Sequence, residues 1–169
     1  MKFKKAGMIF AVAVMGWICF IFYMSSQTAV NSGHMSRAVT KYLVRAAETV
    51  GIVGEGASYS EHIIQNADII VRDLAHMVMY FLLTCIFSAM LWMLGIKGHK
   101  WIPAAFIIGT GISVVDEINQ MHYYGRNSAG LASEGIQDVL KDVFGICVAI
   151  GIFILLRRKN KSRSDSSFL

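Results

Sequence analysis

Four stretches of the chain are apolar for about as long as a bilayer is thick, and they constrain the fold more than any other feature. A hydrocarbon core of about 30 Å takes roughly 20 helical residues at about 1.5 Å each. The stretches run from residues 6 to 24, 74 to 96, 101 to 120 and 136 to 156. In lipid, every backbone N–H and C=O must be bonded within its own segment, so each stretch has to be a helix. Composition agrees, because 55% of the 169 residues are hydrophobic and only 16% charged, against about 25% charged in soluble domains. The sequence predicts an all-α membrane protein, a four-transmembrane-helix bundle in which residues 1–156 form one integral domain. Residues 157–169 form a basic tail, read as disordered and lying near anionic headgroups. The first stretch is too long for a signal-peptide core and lacks a small-x-small cleavage site, so it reads as a retained helix.

The positions of the charges give an orientation. Lys2, Lys4 and Lys5 precede the first span, Lys97 and Lys100 lie between the second and third, and Arg157, Arg158, Lys159, Lys161 and Arg163 follow the fourth. The other side holds Arg37, Lys41, Arg45, Arg72, Arg126 and Lys141 together with every acid except Asp165, so it is net acidic. The positive-inside rule then places both termini of a multi-pass membrane protein in the cytoplasm. The excess of basic residues reflects this topology and gives no support for a nucleic-acid partner. Cys19, Cys85 and Cys147 sit in the middle of separate apolar runs with no metal-ligand spacing and carry no predicted chemistry.

One long connection, residues 25–73, faces outward between the first two spans. Met35, Val39, Tyr42, Leu43 and Ala46 recur in it at helical spacing, with Arg37, Lys41, Arg45 and Glu48 on other faces. This pattern predicts an amphipathic helix over about residues 32–50, suited to the membrane surface. Gly51, Gly54 and Gly56 then break the chain, and a short helix from about Tyr59 leads into the second span.

The third and fourth spans are short in apolar residues. Trp101 to Val115 and Val143 to Leu156 each cover only about 21–22 Å, so the missing turns must include Asp116, Glu117 and Gln120 on one helix and Asp138, Lys141 and Asp142 on the other. Ionisable groups at that depth are costly unless paired or solvated. The other two helices are polar at the same level. Ser25, Ser26 and Gln27 close the first, and Arg72, His76 and Tyr80 stand at i, i+4 and i+8 on the second. Asp116 with Gln120, and Asp138 with Asp142, are also i, i+4 pairs, so all four helices can aim polar groups at one centre. Either arginine, Arg72 or Arg126, is expected to contact one of these acids. A structural role competes for Asp138 and Lys141, since acids in a first helical turn suit the helix dipole and an ion pair can hold two helices together.

At these residues the sequence resembles the VanZ-like family of small bacterial membrane proteins. MSSQTAVNS (residues 24–32) is similar to the family's S-S-Q element, and VRDLAHMVMYFLL (71–83) to its Arg-x-x-x-His-x-x-x-Tyr element. DEINQMHYYGR (116–126) followed by DVLKDVFG (138–145) is similar to its D-E-x-x-Q, G-R and D-x-x-x-N/D-x-x-G series, in the same order. Departures are Asp73 where a basic residue is common, Met79 where glutamate often precedes the tyrosine, and extra residues between Arg126 and Asp138. The resemblance implies a role at the cell envelope, and in the family's founding member it extends to reduced susceptibility to the glycopeptide teicoplanin.

Three uses of the polar centre remain open at this point. In the first, a ligand-binding pocket of Ser26, Gln27, Arg72, His76, Tyr80, Asp116, Glu117, Gln120, Arg126, Asp138 and Asp142 engages membrane lipid or a lipid-linked cell-wall precursor, with the arginines receiving phosphate. In the second, Glu117 or Asp116 is a general base, His76 shuttles the proton and Arg126 steadies an oxyanion. In the third, Asp116, Glu117, Asp138 and Asp142 hold magnesium or calcium through hard oxygen donors.

Overall fold

The computed structural model describes residues 2–27, 29–96, 98–121 and 135–165. These residues form helices α1 (Lys2–Ser25), α2 (Ala29–Thr49), α3 (Glu61–Met93), α4 (Trp101–Met121) and α5 (Ile136–Asp165), with one 3₁₀ turn at Ala57–Tyr59 and no strand among them. Four of them, all but α2, are long and apolar enough to cross a membrane, and the protein is a multi-pass membrane protein. Apolar side chains cover the outside of these helices. Val12 is 73% exposed, Ile9 70% and Phe144 62%, a surface that water would not tolerate over this length and that lipid tails solvate.

Helix α3 is the centre of the bundle and packs against α1, α2, α4 and α5. The core between them is built from Val14, Ile21, Tyr80, Leu83, Leu91, Trp101, Ala105, Ile146 and Ile150. Two spans differ in length from the apolar runs. Helix α3 begins at Glu61, well before residue 74, because the expected entering helix fuses with the span into one element of 33 residues. It stops at Met93, short of residue 96, at a Schellman cap. Gly95 adopts φ +83°, its N–H donates to the Trp92 carbonyl, and the Ile96 N–H donates to that of Leu91. Helix α2 ends in the same way at Gly51, with Ile52 N–H donating to Ala47. The tail is not disordered over its first part, since α5 continues as backbone helix to Asp165. Lys and Arg are good helix formers and extend the existing hydrogen-bond ladder.

The amphipathic α2 folds back on the entering part of α3. Thr40, fully buried, donates to the Asp68 carboxylate at 3.1 Å, Arg37 pairs with Glu61 at 3.0 Å, and Val44, Ala57 and Ile64 make a small second core. Its remaining apolar residues, Met35, Val39, Tyr42 and Leu43, stay about half exposed or more, as befits a helix at a membrane surface. At the other end of the bundle, the Arg157 guanidinium lies 4.8 Å from the Trp101 ring centre and 5.5 Å from that of Trp92, joining α3, α4 and α5.

Candidate functional site

The polar groups converge at the end of the bundle that carries α2. Asp116 (2% exposed), Asp142 (3%), Gln120 (4%), Ser25 (4%), Glu117 (6%) and Tyr80 (0%) are all buried there. Their position follows from helical spacing. On α3, Arg72, His76 and Tyr80 stack one turn apart, and on α4, Ser113, Asp116, Glu117 and Gln120 share a face towards them. Helix α5 reaches this face through Gly145. A Cβ at that position would strike the Met77 carbonyl oxygen, so only glycine lets the two backbones come so close. Asp142 lies three residues before Gly145, and His76 precedes Met77. The contact between helices thus delivers the carboxylate to the imidazole.

Asp142 Oδ1 lies 3.6 Å from His76 Nδ1, with side-chain exposures of 4% and 14%. Its other oxygen, Oδ2, accepts a hydrogen bond from Ser113 Oγ at 2.6 Å. Asp116 Oδ2 accepts from Gln120 Nε2 at 3.2 Å, whereas Asp116 Oδ1 and the Tyr80 hydroxyl are buried with no hydrogen-bond partner among the described residues. Glu117 packs against Gly135 at the start of α5, where a Cβ would come within 3.0 Å of Glu117 Oε1. That places its carboxylate at the positive end of the α5 dipole. Asn119 Nδ2 donates to Ser25 Oγ at 2.9 Å and Ser26 Oγ at 3.2 Å, tying α4 to the end of α1, and Gln27 Nε2 donates back to the Tyr23 carbonyl at 3.3 Å.

Beside this cluster lies a cavity of about 190 Å³ between α1, α2, α3 and α4. Its walls are apolar, including Ile21, Met24, Met35, Val39, Val71 and Met79, while Ser25, His76 and Asp116 supply polar surface within and Arg72 and Gln27 also line it. Arg72 is exposed and makes no ion pair among the described residues. The expected contact between Arg72 and an acid is therefore not made. His76 and Lys141 sit beside the acids instead, because α5 packs on the α3 face that bears His76 while Arg72 lies one turn nearer the helix end. Arg126, the other arginine named for that contact, lies outside the described residues.

Asp138 belongs to a separate arrangement. Lys141 Nζ donates to Asp138 Oδ1 at 2.8 Å and to Asp73 Oδ1 at 2.7 Å, joining α5 to α3 with all three side chains about a third exposed. The four carboxylates Asp116, Glu117, Asp138 and Asp142 do not form a metal-sized cluster. Among the described residues, no three His, Cys, Asp or Glu side chains stand close enough together to hold an ion. Asp138 is held by Lys141, whereas Asp142 accepts from Ser113 and faces His76.

Sequence reasoning did not single out Ser113, Asn119 or Gly135, and it met Gly145 only as the closing glycine of the D-x-x-x-N/D-x-x-G element, with no packing role assigned. Ser113 and Asn119 stand three residues before and after Asp116, so extending the polar stripe of α4 by one position each way would have found both. A family model described as VanZ/LLP1 matches residues 10–157, most of the chain and all of the candidate residues. No curated protein and no solved structure matches it.

Proposed function

The chain belongs to the VanZ/LLP1 family, and from that premise we propose that it is a lipid-binding protein of the bacterial cell envelope whose cavity engages a lipid-linked envelope component. The observation that carries this reading is the amphiphilic cavity. Its apolar walls match a hydrocarbon chain, and the exposed guanidinium of Arg72, which makes no ion pair among the described residues, offers a fork of N–H donors to a phosphate. Positive-inside charge placement supports termini in the cytoplasm and a cavity on the outer side of the plasma membrane, where cell-wall precursors are used. A change in glycopeptide susceptibility, teicoplanin included, would follow from altered handling of such a precursor.

Native mass spectrometry of the purified full-length protein tests the reading. The expected result is a retained phospholipid or prenyl phosphate, reduced by Arg72→Ala and by Ala75→Phe, which puts a ring into the cavity. Equal retention by both variants and the parent would place the lipid elsewhere and overturn the proposal.

A further inference from the structure

The cavity wall holds an arrangement that lipid binding alone does not require. His76 lines the cavity while its Nδ1 faces the buried Asp142, 3.6 Å away. Asp142 is in turn fixed by Ser113 at 2.6 Å. At 3.6 Å the two groups approach without a made hydrogen bond, and both Nδ1 and Oδ1 are buried with no other partner among the described residues, so a proton on Nδ1 has the carboxylate as its nearest acceptor and the neutral tautomer protonated there is favoured. The lone pair of Nε2 is then left for the cavity. Asp116, on α4, lines the same space with its carboxylate beside Ser25 and the Tyr80 hydroxyl.

We propose that this wall is a hydrolytic centre for a carboxylic ester of an anionic glycerolipid, with His76 Nε2 as general base and Asp142 as the residue that positions it. The inference rests on the lipid-binding reading above. Arg72 and His76 are one helical turn apart, about 6 Å along α3. A phosphate held at Arg72 therefore puts the ester linkage, a few bonds further along the lipid, level with His76. The acyl chain continues between Ile21, Val39 and Met79. At about 190 Å³ the cavity is smaller than the roughly 300–1,000 Å³ of pockets that enclose whole ligands, which suits one chain and its linkage better than a whole lipid.

The step balances with water as the only co-reactant. Water, hydrogen-bonded by Nε2 and by Asp116 Oδ1, attacks the ester carbonyl carbon and gives a proton to Nε2. The tetrahedral intermediate then breaks its bond to the glycerol oxygen, and the imidazolium returns the proton to that oxygen. The products are a fatty acid and a lysolipid. Asp142 stabilises the imidazolium between the two proton transfers and is not itself protonated.

The test uses the purified full-length protein with vesicles of phosphatidylglycerol and phosphatidylcholine, following fatty-acid release by mass spectrometry and retained lipid in parallel. The parent should release fatty acid from phosphatidylglycerol. His76→Gln should lose at least about 100-fold in turnover, the usual contribution of a positioned acid–base group, while the folded variant still retains lipid. Asp142→Asn should lower kcat while leaving KM alone, and Arg72→Ala should raise KM. Full release by a folded His76→Gln variant, or retained lipid with no release by the parent, overturns the hydrolytic proposal and leaves the binding reading standing. If the parent neither retains nor releases lipid, both fall together.

Discussion

Gly145→Ala separates the packing argument from ordinary helix propensity, because the two predict opposite signs. In an open helical position, replacing glycine by alanine favours the helix by about 1 kcal/mol. At Gly145 the new methyl would meet the Met77 carbonyl oxygen, with the Met77 carbonyl carbon at 3.1 Å and Cα at 3.3 Å. These are backbone atoms on a packed helix and cannot rotate aside as a side chain would. Overpacking of this kind costs about 1–3 kcal/mol, and a rigid obstacle argues for the upper half of that range. The net effect is a loss of about 1–2 kcal/mol, a fall in Tm of roughly 2–8 °C for a chain of this length. Gly151, one helix face away and with nothing within 4 Å of its virtual Cβ, supplies the control. Gly151→Ala should raise Tm by a few degrees. Melting of both variants in detergent decides the matter, and a rise for Gly145→Ala comparable to that of Gly151→Ala would refute the close approach of α3 and α5. Moving α5 outwards also lengthens the His76–Asp142 contact, so lipid turnover should fall in Gly145→Ala even at temperatures where it is fully folded.

Three further outcomes are expected. In a background lacking Cys19, Cys85 and Cys147, a cysteine at Glu55 should react with an impermeant reagent in intact cells and one at His99 should not; the reverse would invert the orientation. Lys141→Met should cost about 1 kcal/mol in thermal stability, since it removes the bridge between two partly exposed carboxylates, while leaving lipid retention unchanged. Glu48 accepts hydrogen bonds from the Ser58 side chain and from the Gly56 N–H, which hold its carboxyl below the ordinary value of 4.5. A depressed folded-state pKa stabilises the fold above the unfolded value and is lost as pH falls through the folded one, so amides of residues 50–60 should exchange faster below about pH 4.5, and Glu48→Gln should remove that dependence.

The helices were legible because lipid leaves the backbone no alternative, and their ends were less so. Residues 94–96 are as apolar as the span before them, so hydropathy carried the second span to residue 96. The turn is set by the left-handed backbone of Gly95, a local signal that an average over apolar residues erases. The helix expected from about Tyr59 into the second span is present, and it is continuous with the span as α3 from Glu61; hydropathy alone started the span at residue 74 because Glu61, Asp68 and Asp73 lower it over the entering turns. At the site, four-residue spacing correctly grouped Arg72, His76 and Tyr80, and Asp116 with Gln120. Spacing within one helix says nothing about the rotation of the next, however. The partner of Asp142 turned out to be His76 because a glycine, Gly145, allows close approach at Met77. Lys141 took Asp138 and Asp73 because it points along α5 towards α3. Sequence named Asp142 and His76 but not Ser113, and the glycine contact determined which of them face one another.

On the proposed reading, the distribution of charge also fixes how a lipid would sit. Asp116, Glu117 and Asp142 make the interior of the site acidic, so a phosphate placed deep in the cavity would meet like charges at low dielectric, where their repulsion is strong. The favourable place for an anion is at Arg72, one turn nearer the helix end and exposed. The apolar walls admit only the chain, and the ester between the two is carried to the level of His76. Reversing the rim charge by Arg72→Glu should therefore do more than remove a contact. It leaves no acceptable position for the headgroup, so an anionic lipid should be excluded while a zwitterionic one, whose ammonium can approach the new carboxylate, is retained at least as well as before. Loss of both lipids to the same extent would mean that the headgroup is not at Arg72, and would remove the geometric basis for aligning the ester with His76.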